Sequence, residues 1–243
     1  MSERIGDWIQ TFSGVAFYPL DPRPEEIRIE DIAHALAMQC RFTGHVRSFY
    51  SVGEHSVRVS QVCDSAEALW GLLHDASEAY LCDVARPVKH MEFMEPYRGA
   101  EGHLLRAIAD RFDLSPRWPE PASVKHADKC LLAIEARDLM PTVWPDWRER
   151  WYPFIGDRDF SITRPWSPAE AEERFLTRFH ELTSAPVLQL PAPNMTVKHA
   201  AGILGRHAAE LRRQRALGAN GEDSTRSQGV QLPGVLFDAS EAA

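Results

Sequence analysis

The sequence predicts a mostly α fold, a helical bundle preceded by a short N-terminal β-hairpin. Six segments carry apolar residues at helical spacing. Strand-like runs around a turn occur only near the N-terminus, and nothing after them reads as a strand. The 243 residues are 44% hydrophobic and 26% charged, the balance of a chain that buries an ordinary globular core.

The hairpin is expected from Trp8–Thr11 and Val15–Tyr18 around Ser13-Gly14. A Pro-rich connection then leads into a helix over Glu30–Gln39. Further helices are expected over Val52–Cys63, Ala66–Leu81, Glu95–Phe112, Ala122–Met140 and Pro168–Leu182. Ser51-Val-Gly-Glu54 reads as a capping box at the head of the second helix, with each side chain satisfying a free backbone N–H. Residues 141–167, with Trp144, Trp147, Trp151 and Trp166 among several prolines, read as a long loop. Core and interface packing is the commoner use of such tryptophans, and stacking on a base the rarer one.

Composition changes after the Pro191–Pro193 pair. Residues 1–190 carry a net charge of −9 and residues 191–243 a net +1. The first stretch is therefore read as one domain. The second is read as a helix over about 196–217 followed by a mobile Gly/Ser/Asn/Gln-rich tail. An overall −8 argues against a nucleic-acid-coating protein, and Arg206–Arg215, interrupted by Glu210 and alanines, reads as a solvated or partner-docking helix. No apolar run approaches the roughly 18 residues of a membrane helix. MSERIGDWIQ has no apolar leader stretch, so a cytoplasmic chain is expected. Cys40, Cys63, Cys82 and Cys130 form no Cys-x-x-Cys pair and read as reduced, mostly buried thiols. A phosphate-cradling Gly-rich loop is absent.

The chemistry-bearing residues stand out by being polar where their surroundings are not. His55 lies on the inward stripe of the second helix, with Val52, Ser56, Val59 and Cys63. Ala66, Ala68, Leu69, Trp70, Leu72 and Leu73 leave the third helix no polar face before His74-Asp75. An ionised carboxylate there costs several kcal/mol, order of magnitude, unless it is paired or bound to a metal. Glu78 follows one turn later and brings a second carboxylate to the same place. Asp128 interrupts the stripe of Val124, Ala127, Leu131, Leu132 and Ile134. Singly, each has a structural explanation: a satisfied core histidine, or a salt bridge from Asp128 to Arg41 or Arg86. Together, two His and two Asp make an N₂O₂ set suited to one divalent transition metal such as Zn, Mn, Fe, Co or Ni, leaving positions for water and a substrate oxygen.

The pattern His55 … His74-Asp75 … Asp128 resembles the signature of the HD-domain metal-dependent phosphohydrolases. The segments R-F-x₈-Y-S-V-G-E-H-S and L-L-H-D-A-S-E-A-Y-L-C-D-V-A-R-P-V-K are similar to those of bacterial HD-domain 5′-deoxynucleotidases, and also to phage-type HD hydrolases that include deoxynucleoside triphosphate triphosphohydrolases. The match covers about 30–140, with weaker similarity around R-P-W-S-P-A-E-A-E-E-R-F. The resemblance implies an HD-domain helical bundle in which His55, His74, Asp75 and Asp128 bind the metal. It implies that Glu78 and Asp83 handle the attacking water and the leaving oxygen, and that Arg41 binds phosphate. Phe42 stands where the nucleotidases have a Trp near base or sugar, and Lys89 would lie near the phosphate. Only 18 residues separate His55 from His74, fewer than in the nucleotidases.

These features predict a nucleotide phosphohydrolase that removes the 5′-phosphate of deoxynucleoside monophosphates. Release of triphosphate from a deoxynucleoside triphosphate is the alternative, and a catalytically silent nucleotide-binding module the alternative of another class. Intact Glu78 and Asp83 argue against silence. The Gly-Tyr-Pro signature of HD cyclic-dinucleotide phosphodiesterases is absent, and alarmone hydrolases share the core ligands. Relatives of this kind often dimerise, so a homo-oligomer is expected. Of the remaining histidines only His45 lies close enough in sequence to reach a phosphate.

Overall fold

A computed structural model describes residues 4–114, 119–156 and 160–184. The chain divides into Met1–Val187 and Leu188–Ala243. The second unit, with the helix expected over 196–217 and the tail after it, lies outside the described residues.

The fold is mostly helical, as the periodicity predicts. A two-stranded antiparallel hairpin, β1 (Ile9–Gln10) and β2 (Ala16–Phe17), opens it and is shorter than expected. Its turn is hooked to the first helix because Ser13 donates from its backbone N–H (2.6 Å) and its hydroxyl (2.8 Å) to the buried Asp31. The helices are α1 (Ile29–Met38), α2 (Val52–Val62), α3 (Ala68–Leu73), α4 (Glu78–Leu81), α5 (Arg86–Lys89), α6 (Glu95–Arg111), α7 (Ala122–Leu139), α8 (Pro145–Trp151) and α9 (Pro168–Thr183).

Helix α2 is the hub. It packs against α1, α3, α7 and α9, and Val52 through Val57, with Val59 and Ser60, are buried. A helix so surrounded has almost no wet face, so a His or Glu in it must find partners inside the protein. Two close approaches make the packing possible. A Cβ on Gly53 would stand 3.1 Å from the Ala37 nitrogen in α1, and one on Gly71 would stand 2.7 Å from Cys63 Sγ and 3.0 Å from Ser60 Cα in α2. The core around this hub includes Phe17, Ile32, Leu36, Trp70, Leu72, Leu104, Ile108, Leu131 and Phe175.

Three expectations need correction. The segment read as one helix over 66–81 is broken: α3 stops at Leu73, and the chain then tightens into i→i+3 bonds, Ala76 N–H to Leu73 C=O at 3.0 Å and Glu78 N–H to Asp75 C=O at 2.9 Å. Three residues per turn bring positions i and i+3 toward one face, and Asp75 lies close enough to act on the Glu78 carboxyl. The capping box is half formed. Ser51 Oγ accepts from the Glu54 N–H at 2.9 Å, but the Glu54 carboxylate turns away to Arg58 (2.6 Å) and to the Trp166 backbone N–H (2.7 Å). The long loop contains α8, with Pro145 pre-setting its first turn. Trp147, Trp151 and Phe154 pack on one another at 5.9 Å centroid spacings, and Trp166 lies between the guanidinium groups of Arg58 and Arg174. The thiols are all free, but only Cys63 and Cys130 are buried.

Candidate metal centre

Four elements deliver the site. The first turn of α2 carries His55, the tightened turn after α3 carries His74 and Asp75, α7 carries Asp128, and the loop before α2 carries Arg41. His55 is fully buried and His74 nearly so. Each ring has its Nδ1 committed. The Gly71 carbonyl, 2.9 Å from His74 Nδ1, can only accept, so that nitrogen is the protonated one. His55 Nδ1 donates in the same way to Glu135 Oε1 at 2.6 Å. A neutral imidazole has one N–H, and both Nε2 lone pairs are therefore left aimed inward.

They are aimed at the same place. The Nε2 atoms stand 3.3 Å apart. Asp75 Oδ2 lies 3.1 Å from His74 Nε2 and 3.7 Å from His55 Nε2, and Asp128 Oδ1 lies 3.3 Å from His55 Nε2. Ligands bound at about 2.0–2.2 Å in tetrahedral or octahedral geometry are separated by about 2.8–3.6 Å, and all of these distances but the 3.7 Å from Asp75 to His55 fall in that range. Electron-pair donors this close repel one another unless a positive charge offsets them. His55, His74 and Asp75 form a group that could hold a metal ion, and Asp128 adds its carboxylate beside them.

Without a metal ion a proton meets that need. Burial pulls the His74 imidazolium down, but Asp75, and behind it Asp128, outweigh this and push its pKa up to about 10. Burial likewise opposes ionisation of Asp75 and Asp128, yet the two imidazoles hold both carboxyls below their usual range. Glu78 goes the other way: burial, then Asp75 and Asp83, raise it well above the ordinary carboxyl value. Its Oε2 is buried with no hydrogen-bond partner.

The remaining expected residues surround this centre. Arg41 donates from Nε to Glu135 Oε2 at 3.1 Å and sets Nη1 3.6 Å from Asp75 Oδ2. Asp128 thus pairs with His55 rather than with Arg41 or Arg86, and Arg86 lies over the Trp151 ring instead. The Phe42 ring lies beside the Arg41 guanidinium, 5.5 Å from centroid to Cζ. Phe42, Thr43 and Gly44 all have positive φ, and two non-glycine residues there store about 1–3 kcal/mol each. His45 is exposed at the end of this turn. Asp83 is carried by another strained residue, Cys82 at φ 67 and ψ 156, and Gln39 clamps the segment by accepting from the Asp83 N–H and donating to the Glu78 carbonyl. Lys89 Nζ lies 2.5 Å from Glu101 and 3.8 Å from Glu78, paired with carboxylates beside the cluster.

Sequence reading missed Glu135. It is fully buried and accepts from His55 Nδ1, from Tyr50 OH at 2.8 Å and from Arg41 Nε. Burial opposes its charge, but Arg41 and His55 keep its pKa below the ordinary value. The available signal was its place seven residues, or two turns, after Asp128, on the same face of α7.

The fold and site define a mostly helical protein with a His/Asp group that could hold a metal ion. No family model matches the chain. It is 35% identical over 179 residues to uncharacterized protein YfdR of Escherichia coli K12, covering 72% of this chain and 96% of that protein. An uncharacterized protein of Rhodobacter capsulatus is 36% identical over 143 residues, 54% of this chain and 72% of its own length. The chain belongs to the family that contains YfdR. Among the described residues no helix is long and apolar enough to cross a membrane.

Proposed function

We propose that this chain is a metal-dependent phosphohydrolase acting on nucleotides, and that it removes the 5′-phosphate of deoxynucleoside monophosphates. The observation that carries the reading is the convergence of His55 and His74 Nε2 with an Asp75 carboxylate oxygen, with Asp128 against His55, beside a part-buried arginine and a carboxyl group of raised pKa. A divalent transition ion held by these four residues would supply a Lewis-acidic centre that makes hydroxide available near neutral pH.

The other steps belong to the side chains. Arg41, with Nε fixed on Glu135 and Nη1 3.6 Å from Asp75, is assigned to the phosphoryl oxygens, an anion its planar guanidinium suits. Glu78, whose proton burial and the neighbouring Asp75 hold more tightly than usual, is assigned to donating it to the departing ribose O5′, leaving a deoxynucleoside and orthophosphate. Asp83, beside it, is assigned to orienting the attacking water. Phe42 offers an apolar surface to sugar or base, and Lys89 closes the rim. The chain is further proposed to work in the cytoplasm as a homo-oligomer, the latter measurable by sedimentation.

The test is a product-resolved screen. Deoxynucleoside mono- and triphosphates are incubated with the protein and Mn²⁺, Co²⁺, Mg²⁺ or Zn²⁺, and the products are read by phosphorus NMR. Orthophosphate from monophosphates is expected, and chelation or Asp128→Ala should abolish it. Tripolyphosphate from triphosphates would replace the substrate assignment with the triphosphohydrolase one, and turnover that survives both metal stripping and Asp128→Ala would overturn the mechanism.

A further inference from the structure

Glu135 is not part of the group that could hold a metal ion, yet it accepts hydrogen bonds from two residues of the site. Three donors from three places meet on it. The His55 ring nitrogen of α2 and the Tyr50 hydroxyl share Oε1, at 2.6 and 2.8 Å, and the Arg41 Nε takes Oε2 at 3.1 Å. Tyr50, His55 and Glu135 are all fully buried. Such a group must be charged and acceptor-only, because each of its three partners brings a hydrogen.

We infer that Glu135 is a positioning residue that sets two functions at once: it fixes His55 in the tautomer whose Nε2 lone pair faces the cluster, and it fixes the Arg41 guanidinium by Nε so that Nη1 stands beside Asp75 at the cluster. The first half concerns cation binding alone, and the second rests on the phosphohydrolase reading. One buried oxygen pair thereby sets the angle between the cation-binding and anion-binding halves of the site. A carboxylate behind a ligating imidazole fixes its orientation and raises its basicity, and loss of such a partner typically costs 10–100-fold in metal affinity. A Gln at 135 has one acceptor oxygen for three donors, and its amide hydrogens confront at least one of them.

The test begins with the unaltered full-length chain. With Zn²⁺ bound, imidazole nitrogen–proton correlation NMR should show His55 protonated at Nδ1, and a spectrum with the proton on Nε2 overturns the inference without any variant. Glu135→Gln is then compared with Tyr50→Phe, which removes one bond to Oε1 but leaves both functional donors. Co²⁺ titration should weaken about 10–100-fold in Glu135→Gln and stay within about threefold in Tyr50→Phe. Inorganic phosphate should bind the Zn²⁺-loaded Glu135→Gln protein more weakly than the Zn²⁺-loaded parent. Unchanged Co²⁺ affinity together with an unchanged His55 tautomer in Glu135→Gln would overturn the proposal. Tight Co²⁺ binding by the parent with no phosphate released from any nucleotide would instead defeat the proposed function and leave the cation half of this inference standing.

Discussion

The Nε2 atoms of His55 and His74 face each other across 3.3 Å while both Nδ1–H groups point outward, to a carboxylate and to a carbonyl. Two lone pairs and two carboxylates in that space require a positive charge, and whether it is a proton or a metal ion depends on the solution.

Stability of the metal-free protein should therefore fall as pH rises. The His74 pKa is raised from 6.5 to about 10 in the folded state, so its contribution is complete below about 6.5 and lost as pH climbs through about 10. Each tenfold change in proton affinity is about 1.4 kcal/mol, which bounds the loss at a few kcal/mol. Thermal melts in a chelating buffer from pH 6 to 10 should show the decline, and saturating Zn²⁺ or Mn²⁺ should flatten it. A flat metal-free profile would count against the cluster as drawn.

Asp128→Ala should separate binding from folding. The side chain is 36% exposed and pairs with His55, so its loss leaves the α7 core residues in place. The melting temperature in chelator should move by only a few degrees, which for a chain of this size corresponds to about 1 kcal/mol. Metal affinity should drop at least tenfold, as calorimetric titration would reveal.

Glu78→Gln should pull activity and stability in opposite directions. If Glu78 is the proton donor, kcat should fall about 10²–10⁴-fold with little change in KM, and the high-pH limb of the parent profile should disappear. The raised pKa means that ionising Glu78 destabilises the folded state as pH rises above the usual carboxyl range. The neutral amide avoids this, so urea unfolding at pH 8 should find the variant at least as stable as the parent.

Gly71→Ala tests the packing beneath His74. The added methyl would meet Cys63 Sγ at 2.7 Å and the Ser60 backbone at 3.0 Å, and because α2 cannot move aside without disturbing α1, α7 and α9, a loss of about 1–3 kcal/mol is expected. The same change should weaken metal binding, since the Gly71 carbonyl holds His74 Nδ1.

Sequence made the four expected ligands visible for a simple reason: each is polar inside an apolar run, a placement that needs an explanation. Glu135 obeys the same logic but was hidden, because a Glu in a helix also containing Lys125, Lys129, Arg137 and Asp138 passes as part of the wet face. Only the fold shows that α7 is enclosed at that turn. The break after Leu73 was invisible because i→i+3 and i→i+4 bonding differ by a small rotation that apolar spacing does not record over four residues. Helix α8 was concealed by its prolines, which read as breakers although Pro145 sits where a helix starts. Tyr50 and Arg41 lie in a loop, where no periodicity exists to betray burial.

The Glu54 carboxylate, one residue before His55, is fully buried and neutralised by Arg58 within its own helix and by the Trp166 N–H, 112 positions further along. A ribosome delivers α2 long before it delivers Trp166 and the helix that follows. During that interval the emerging segment holds a carboxylate with one oxygen lacking its Trp166 donor, which favours a wet, unsettled α2 over a docked one. Ligand geometry is thus tied to the last described stretch of the polypeptide, and a nascent chain stalled before that stretch would meet cellular cations with its imidazoles not yet in register.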